Sequence, residues 1–245
     1  MVRASGHTAV MAQRREPPDS LDFFPTPPWA TRALFAHVVP DAGGVAWEPA
    51  AGEGHMAEVL REQFDVVRAS DVFDYGRPGH EVGSFVGEGP DVIDRTHGWP
   101  DWIITNPPFN LAVVFVERAL DEAGQGVALL LRTSWMEGAE RYERLFRDSP
   151  PTIVAPFVER VPMVKGRWDP EASTATSYAW FVWRRCALLP GQTGFGSWRT
   201  GGTTLIWIPP GCRQRLEHPD DRRRFTVAGA EGPTLFDGAD QGVPL

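Results

Sequence analysis

Cysteine is scarce in this chain: its 245 residues include only Cys186 and Cys212, in no paired metal-binding spacing. That excludes a disulfide framework and a structural zinc site, and it is the usage expected of a reducing cytoplasm. Long apolar runs are lacking too, and none approaches the roughly 20 residues of a membrane span. Met1 to Arg15 carries no apolar stretch of signal-peptide length, so the expected setting is cytoplasmic, with no membrane and no metal partner. Asparagine is equally rare, present only as Asn106 and Asn110.

What is present is acidic in sum and uneven along the chain. The formal net charge is −8. Residues 1–155 hold 13 arginines against 23 carboxylates, whereas residues 156–225 hold 11 cations against 6 carboxylates. A basic surplus downstream permits a nucleic-acid partner without requiring one. The length suits one sizeable α/β core. Residues 1–20 read as a polar, disordered lead, 21–210 as a single domain, and 211–245 as a basic segment with a flexible tail.

The pattern within the domain alternates strands and helices. Helices are expected over 29–39 (with Thr26 as a candidate cap), 56–63, 111–122 and 137–147. Strands are expected at 44–47, 64–70, 102–105, 127–131, 152–156, 177–183 and 205–208, with a loop over 76–90 and a strand edge at Asp91 to Asp94. Val127 to Leu131 is continuously apolar, as befits a strand covered on both faces.

Two turns stand out chemically. Trp102 to Thr105 runs into Asn106-Pro107-Pro108-Phe109, and the prolines stop the ladder and stiffen the turn. This makes a ledge at a strand's carboxyl end, where open α/β sheets place ligands. It offers the Asn106 amide oxygen, the Pro107 carbonyl and the Phe109 ring. Two acceptors aimed at an aromatic amine pull its nitrogen toward a tetrahedral geometry and free the lone pair, while an aromatic face holds the base. The other turn, Glu48-Pro49-Ala50-Ala51-Gly52-Glu53-Gly54, joins a strand to a helix. Gly52 and Gly54 allow close backbone approach, but the acid at the strand end repels pyrophosphate and suits a cationic amine instead. Asp71, about 20 residues on, is the first choice to receive ribose hydroxyls, with Asp74 as the alternative.

Asn-Pro-Pro-Phe resembles the (Asn/Asp/Ser)-Pro-Pro-aromatic motif of nucleic-acid amino-methyltransferases, and Glu-Pro-Ala-Ala-Gly-Glu-Gly resembles their cofactor loop. Phe24-Pro25-Thr26-Pro27 resembles the segment that covers the methionine part of their cofactor. The resemblance covers Phe23 to Trp183, with a motif order like that of the gamma group. It implies an α/β, Rossmann-like class I methyltransferase fold, mostly parallel, with an antiparallel edge hairpin built from 152–156 and 177–183. It implies S-adenosylmethionine as cofactor, held by Phe24, Pro25, Thr26, Glu48, Pro49, Ala50, Gly52, Gly54, Asp71, Asp91 and Asn106. The catalytic set would be Asn106, Pro107, Pro108 and Phe109, acting on the N6 amine of a flipped adenine, in DNA rather than RNA. The loop 157–176, with Arg160, Lys165, Arg167 and Trp168, would contact the substrate. No large target-recognition region follows the catalytic half, which resembles compact orphan enzymes of phages and prophages. An RNA adenine enzyme, an N4-cytosine enzyme, a protein glutamine methyltransferase and a non-catalytic binder share parts of this pattern.

Overall fold

The computed structural model describes residues 22–87, 98–186, 196–199 and 201–225. The expectations for the lead 1–20, for Asp91 and the strand edge 91–94, and for the tail beyond 225 therefore lie outside the described residues.

Eight strands form one sheet: β1 (Val45–Glu48), β2 (Val66–Asp71), β3 (Glu81–Val82), β4 (Trp102–Thr105), β5 (Gly126–Arg132), β6 (Ile153–Pro156), β7 (Tyr178–Arg184) and β8 (Thr204–Leu205). Their order across the sheet is 3-2-1-4-5-7-6-8. Strands β1 to β5 pair in parallel, and β7 runs antiparallel to both β5 and β6. This is a Rossmann-like arrangement, mostly parallel with one antiparallel strand inserted. The antiparallel pair is not the outermost edge, however, because β8 adds in parallel beyond β6.

Both faces are covered, so the central strands are apolar on each side. Trp102, Ile104, Leu130, Trp180 and Val182 point to one face, where α1 (Pro28–His37) and α2 (His55–Leu60) supply Trp29, Leu34, Met56 and Leu60. Trp47, Ile103, Leu129, Phe181 and Trp183 point to the other, against Phe115 and Val116 of α3 (Ala112–Glu122). The alternation along β4 and β7 is the period-two rule of a pleated strand.

Three local expectations are corrected. Thr26 does not cap α1: Pro27 stands at the N-cap with no side-chain bond, and Thr26 is buried. The stretch 137–147 is not one helix. A 3₁₀ turn over Thr133–Met136 closes at Glu137, Gly138 at φ +121° stands at the N-cap of the short α4 (Ala139–Arg141), and Tyr142–Phe146 continues as a π turn. Strand β3 falls inside the stretch read as a loop, where two residues, one of them the exposed Val82, carry no apolar signal. The basic segment beyond 210 is folded as far as Phe225. Helices α5 (Cys212–Leu216) and α6 (Asp221–Phe225) dock on α1 through Arg32, whose guanidinium donates to Asp221 at 2.6 and 2.8 Å and to the Leu216 carbonyl at 2.8 Å.

Candidate active site

Strand order reverses at β1, since the chain leaves β1 toward β2 and β3 on one side and returns to β4 on the other. Open α/β sheets place ligands in the crevice at this switch point. Here the crevice receives Glu48 from the end of β1 and Asn106 from just past the end of β4.

Glu48 is 2 % exposed. One side of its carboxyl faces the backbone N–H of Ala57 in the first turn of α2, while Oε2 is buried without a partner. Burial, and then the nearby Asp71, push this carboxyl well above the usual carboxylate range. The loop that follows is held open by Gly52 at φ +53° and Gly54 at φ +86°. A side chain at 52 would also strike the Phe23 ring, which passes 2.4 Å from the place of its Cβ. Asp71, at the end of β2, accepts from the backbone N–H of Gly52 at 2.8 Å and of Phe73 at 3.1 Å. Burial raises its pKa as well, against those donors.

The ledge lies opposite. Asn106 Nδ2 donates to the Phe24 carbonyl at 2.8 Å and lies 3.6 Å from Met163 Sδ. That bond fixes the amide's orientation and leaves Oδ1 buried with no partner. Phe109 donates its backbone N–H to Asp22 Oδ2 at 2.8 Å, and its ring meets Phe24 at 5.5 Å between centroids. The Arg132 guanidinium sits 4.1 Å over the Phe109 ring. Residues 22–26 therefore bridge the two turns. The 157–176 loop is fastened to them by Gly166, whose N–H donates to the Phe23 carbonyl at 2.9 Å.

One cleft joins these parts. Its walls include Phe24, Pro25, Thr26, Glu48, Ala50, Asp71, Asn106 and Pro108 among the residues singled out from the sequence. Pro49, Gly52, Gly54, Pro107 and Phe109 are not part of that lining. Asp22, Phe23, Ala51, His55, Met56, Val72 and Tyr75 also line it, and sequence reasoning missed them. For Asp22, Phe23 and His55 the available signal was adjacency to the two motifs; Val72 and Tyr75 follow the acid that ends β2.

In the loop 157–176, Met163 reaches Asn106, although the residues singled out there were others. Arg160 donates to Ser177 Oγ and Arg167 lies 3.4 Å from Asp169, both exposed. Lys165 is half-buried. Trp168 is turned inward at 6 % exposure, against Val59 and Phe225, so its faces are covered in this arrangement.

The cleft thus sets buried acceptors and two carboxyl groups against apolar walls. Buried acceptors lacking donors cost free energy in an empty site, and a ligand carrying N–H, O–H or cationic groups relieves that cost. No protein-family model matches the chain, and no curated protein matches it in sequence. Solved structures are similar at the level of chain trace. A protein assigned as a class I S-adenosylmethionine-dependent methyltransferase from Listeria monocytogenes is 11 % identical, with a TM-score of 0.47 over 73 % of this chain and 62 % of its own. A protein assigned as an RNA methyltransferase from Pyrococcus horikoshii is 16 % identical, with a TM-score of 0.46 over 69 % of this chain and 90 % of its own. A modification subunit assigned to a type I restriction enzyme of Vibrio vulnificus is 13 % identical, with a TM-score of 0.42 over 71 % and 49 %. At such distances no residue role is carried over from them.

Proposed function

We propose that this chain is an S-adenosylmethionine-dependent amino-methyltransferase acting on the N6 amine of adenine in DNA. The observation that carries the reading is Asn106 Oδ1, a buried acceptor with no partner, oriented by the Nδ2 bond to Phe24 and set in one cleft with Glu48 and Asp71.

The residues present fit the cofactor. Glu48 Oε2 is a buried acceptor awaiting a cationic or N–H donor, and the ammonium of an amino-acid group answers it. Asp71 ends β2 at the cleft, where hydroxyl groups of a ribose can share its oxygens. Phe23, Phe24 and Tyr75 provide aromatic walls for the cofactor's apolar parts, with the Phe23 and Tyr75 rings in contact. When bound, S-adenosylmethionine supplies an electrophilic methyl group on a sulfonium.

The chain's own part is to make an amine nucleophilic. Asn106 Oδ1 accepts a hydrogen bond from the target amine, and the Pro107 carbonyl is the second acceptor. The nitrogen then bends out of the ring plane and its lone pair is no longer shared with the ring. Phe109, stiffened by its bond to Asp22, is the platform for the base taken out of the stack. Acceptor oxygens also favour the positive charge that builds on the nitrogen, and this is transition-state stabilisation of the preorganised kind.

The test is nucleoside mass spectrometry on DNA and RNA from a methylation-deficient bacterium expressing the chain. N6-methyladenine in DNA, absent with Asn106→Ala, is the expected result. N4-methylcytosine in its place would keep the chemistry and change the base. A mark confined to RNA would refute the DNA assignment, and no mark in either polymer would refute the reading.

A further inference from the structure

We propose that His55 is a cofactor-positioning residue, its Nδ1 accepting a hydrogen bond from the ligand of the Glu48 cleft in a tautomer set by the backbone of α6. The proposal rests on the cofactor reading above and adds a residue that neither turn motif includes.

His55 follows Gly54 directly and lines the cleft, yet it is 2 % exposed. Its Nε2 lies 3.3 Å from the Phe225 carbonyl. A carbonyl only accepts, so Nε2 carries the proton and Nδ1 is left with a lone pair. That Nδ1 is buried with no partner. The ring cannot turn away to find one, because it is stacked on Phe225 at 5.3 Å and 27°, with Phe23 6.4 Å away on the cleft side. Burial, with a smaller contribution from the charge of Arg77, lowers the pKa to about 4, so the imidazole is neutral near pH 7.

A histidine held only for packing would have both nitrogens satisfied or one in water. Here a single acceptor is kept in place and unsatisfied, in the same cleft where Glu48 Oε2 and Asn106 Oδ1 are also unsatisfied. A cofactor amino-acid group or ribose brings N–H and O–H donors to that cleft. The arrangement also gives α6 a role. Asp221 anchors the segment through Arg32, Phe225 ends it, and the Phe225 carbonyl selects the tautomer.

The experiment uses the full chain labelled with ¹⁵N-histidine, titrated with S-adenosylhomocysteine. His55 is assigned by the resonances missing in His55→Leu. In the free protein the expected tautomer is Nε2–H, and on adding the ligand the Nδ1 signal moves toward the hydrogen-bonded range while Nε2 stays protonated. By calorimetry His55→Leu binds the ligand about tenfold more weakly, the usual scale for one lost hydrogen bond. Binding heat together with an unmoved Nδ1 signal would overturn the proposal and leave the cofactor reading standing. No binding heat with wild-type protein would remove the cofactor reading, and this inference with it. Should the leucine variant not fold, His55→Gln takes its place for the assignment, and the wild-type Nδ1 shift decides.

Discussion

Replacing Asn106 by alanine separates the chemistry of the cleft from its architecture. The change removes the Nδ2 bond to the Phe24 carbonyl at 2.8 Å, the contact with Met163 Sδ and the unpaired Oδ1. Loss of the partner for a part-buried carbonyl costs about 1–3 kcal/mol of stability. Part of that is returned, because a buried acceptor without a donor also disappears, so the net loss is on the order of 1 kcal/mol. The catalytic loss is larger. One oriented acceptor that acts as charge develops is worth about 10² to 10³ in turnover. Cofactor affinity should change little, since Glu48, Asp71 and the glycine loop are untouched. The assay pairs single-turnover methyl transfer to DNA with calorimetry of S-adenosylhomocysteine binding and a thermal melt. Turnover within a few-fold of wild type would refute the role given to Oδ1. Loss of cofactor binding in parallel with turnover would show that Asn106 holds the segment 22–26 rather than the target amine.

Glu48→Gln tests the acid at the end of β1. Because the folded carboxyl titrates well above its unfolded range, the folded protein binds more protons than the unfolded one between those two pKa values. Stability of the ligand-free protein therefore falls as pH rises through that interval. The glutamine variant should lose this dependence and melt higher than wild type at alkaline pH, while binding S-adenosylhomocysteine at least tenfold more weakly; equal affinity would refute the pairing with a cationic group. Asp221→Ala breaks the anchor of α5 and α6, leaving the Arg32 guanidinium buried with Glu62 and the Leu216 carbonyl only. A loss of about 3 kcal/mol is expected on thermal or urea unfolding, and a loss under 1 kcal/mol would mean the segment is held by its apolar contacts instead.

The parts of the site that were legible in the sequence are those whose chemistry is local. Glu48 and the glycines are read from one strand–turn–helix passage, and Asn106 from a proline stop; each turn specifies its own backbone. The cleft itself is made by pieces far apart in the chain, and no local pattern announces their meeting. Asp22 reaches the backbone of Phe109 across 87 residues, and Met163 reaches Asn106 across 57. Adjacency to the glycine turn aside, His55 carries no local signal, because its partner Phe225 lies 170 residues away. The fold was legible for the same reason that the motifs were, since apolar periods in 102–105, 127–131 and 177–183 describe strands covered on two faces. Strand β3 and the broken stretch 137–147 failed where periodicity is short or interrupted by a glycine at positive φ.

Charge is where the sequence and the folded chain part most, and it bears on how the proposed nucleic-acid substrate would be held. The basic surplus of 156–225 reads as a gripping surface, yet much of it is engaged within the molecule. Arg184 pairs with Asp41 at 2.6 Å, Arg222 with Glu171 at 2.7 Å, and Arg224 with Glu62 at 3.2 Å and Glu58 at 3.5 Å. Several of these bind the downstream segment to the acidic half of the chain. The 157–176 loop beside Asn106 contributes three cations, Arg160, Lys165 and Arg167. If that loop makes the phosphate contacts, log affinity for duplex DNA should fall with log salt at a slope of about −3, because each neutralised phosphate contributes about −0.9. Exposed ion pairs are worth only about 0–1 kcal/mol each, so phosphates could also draw the α5 and α6 arginines away from their carboxylates. The two cases differ in a salt titration of DNA binding by fluorescence anisotropy. A slope of −6 or steeper would refute a loop-only grip and move the phosphate-binding surface onto the helices that also fix His55.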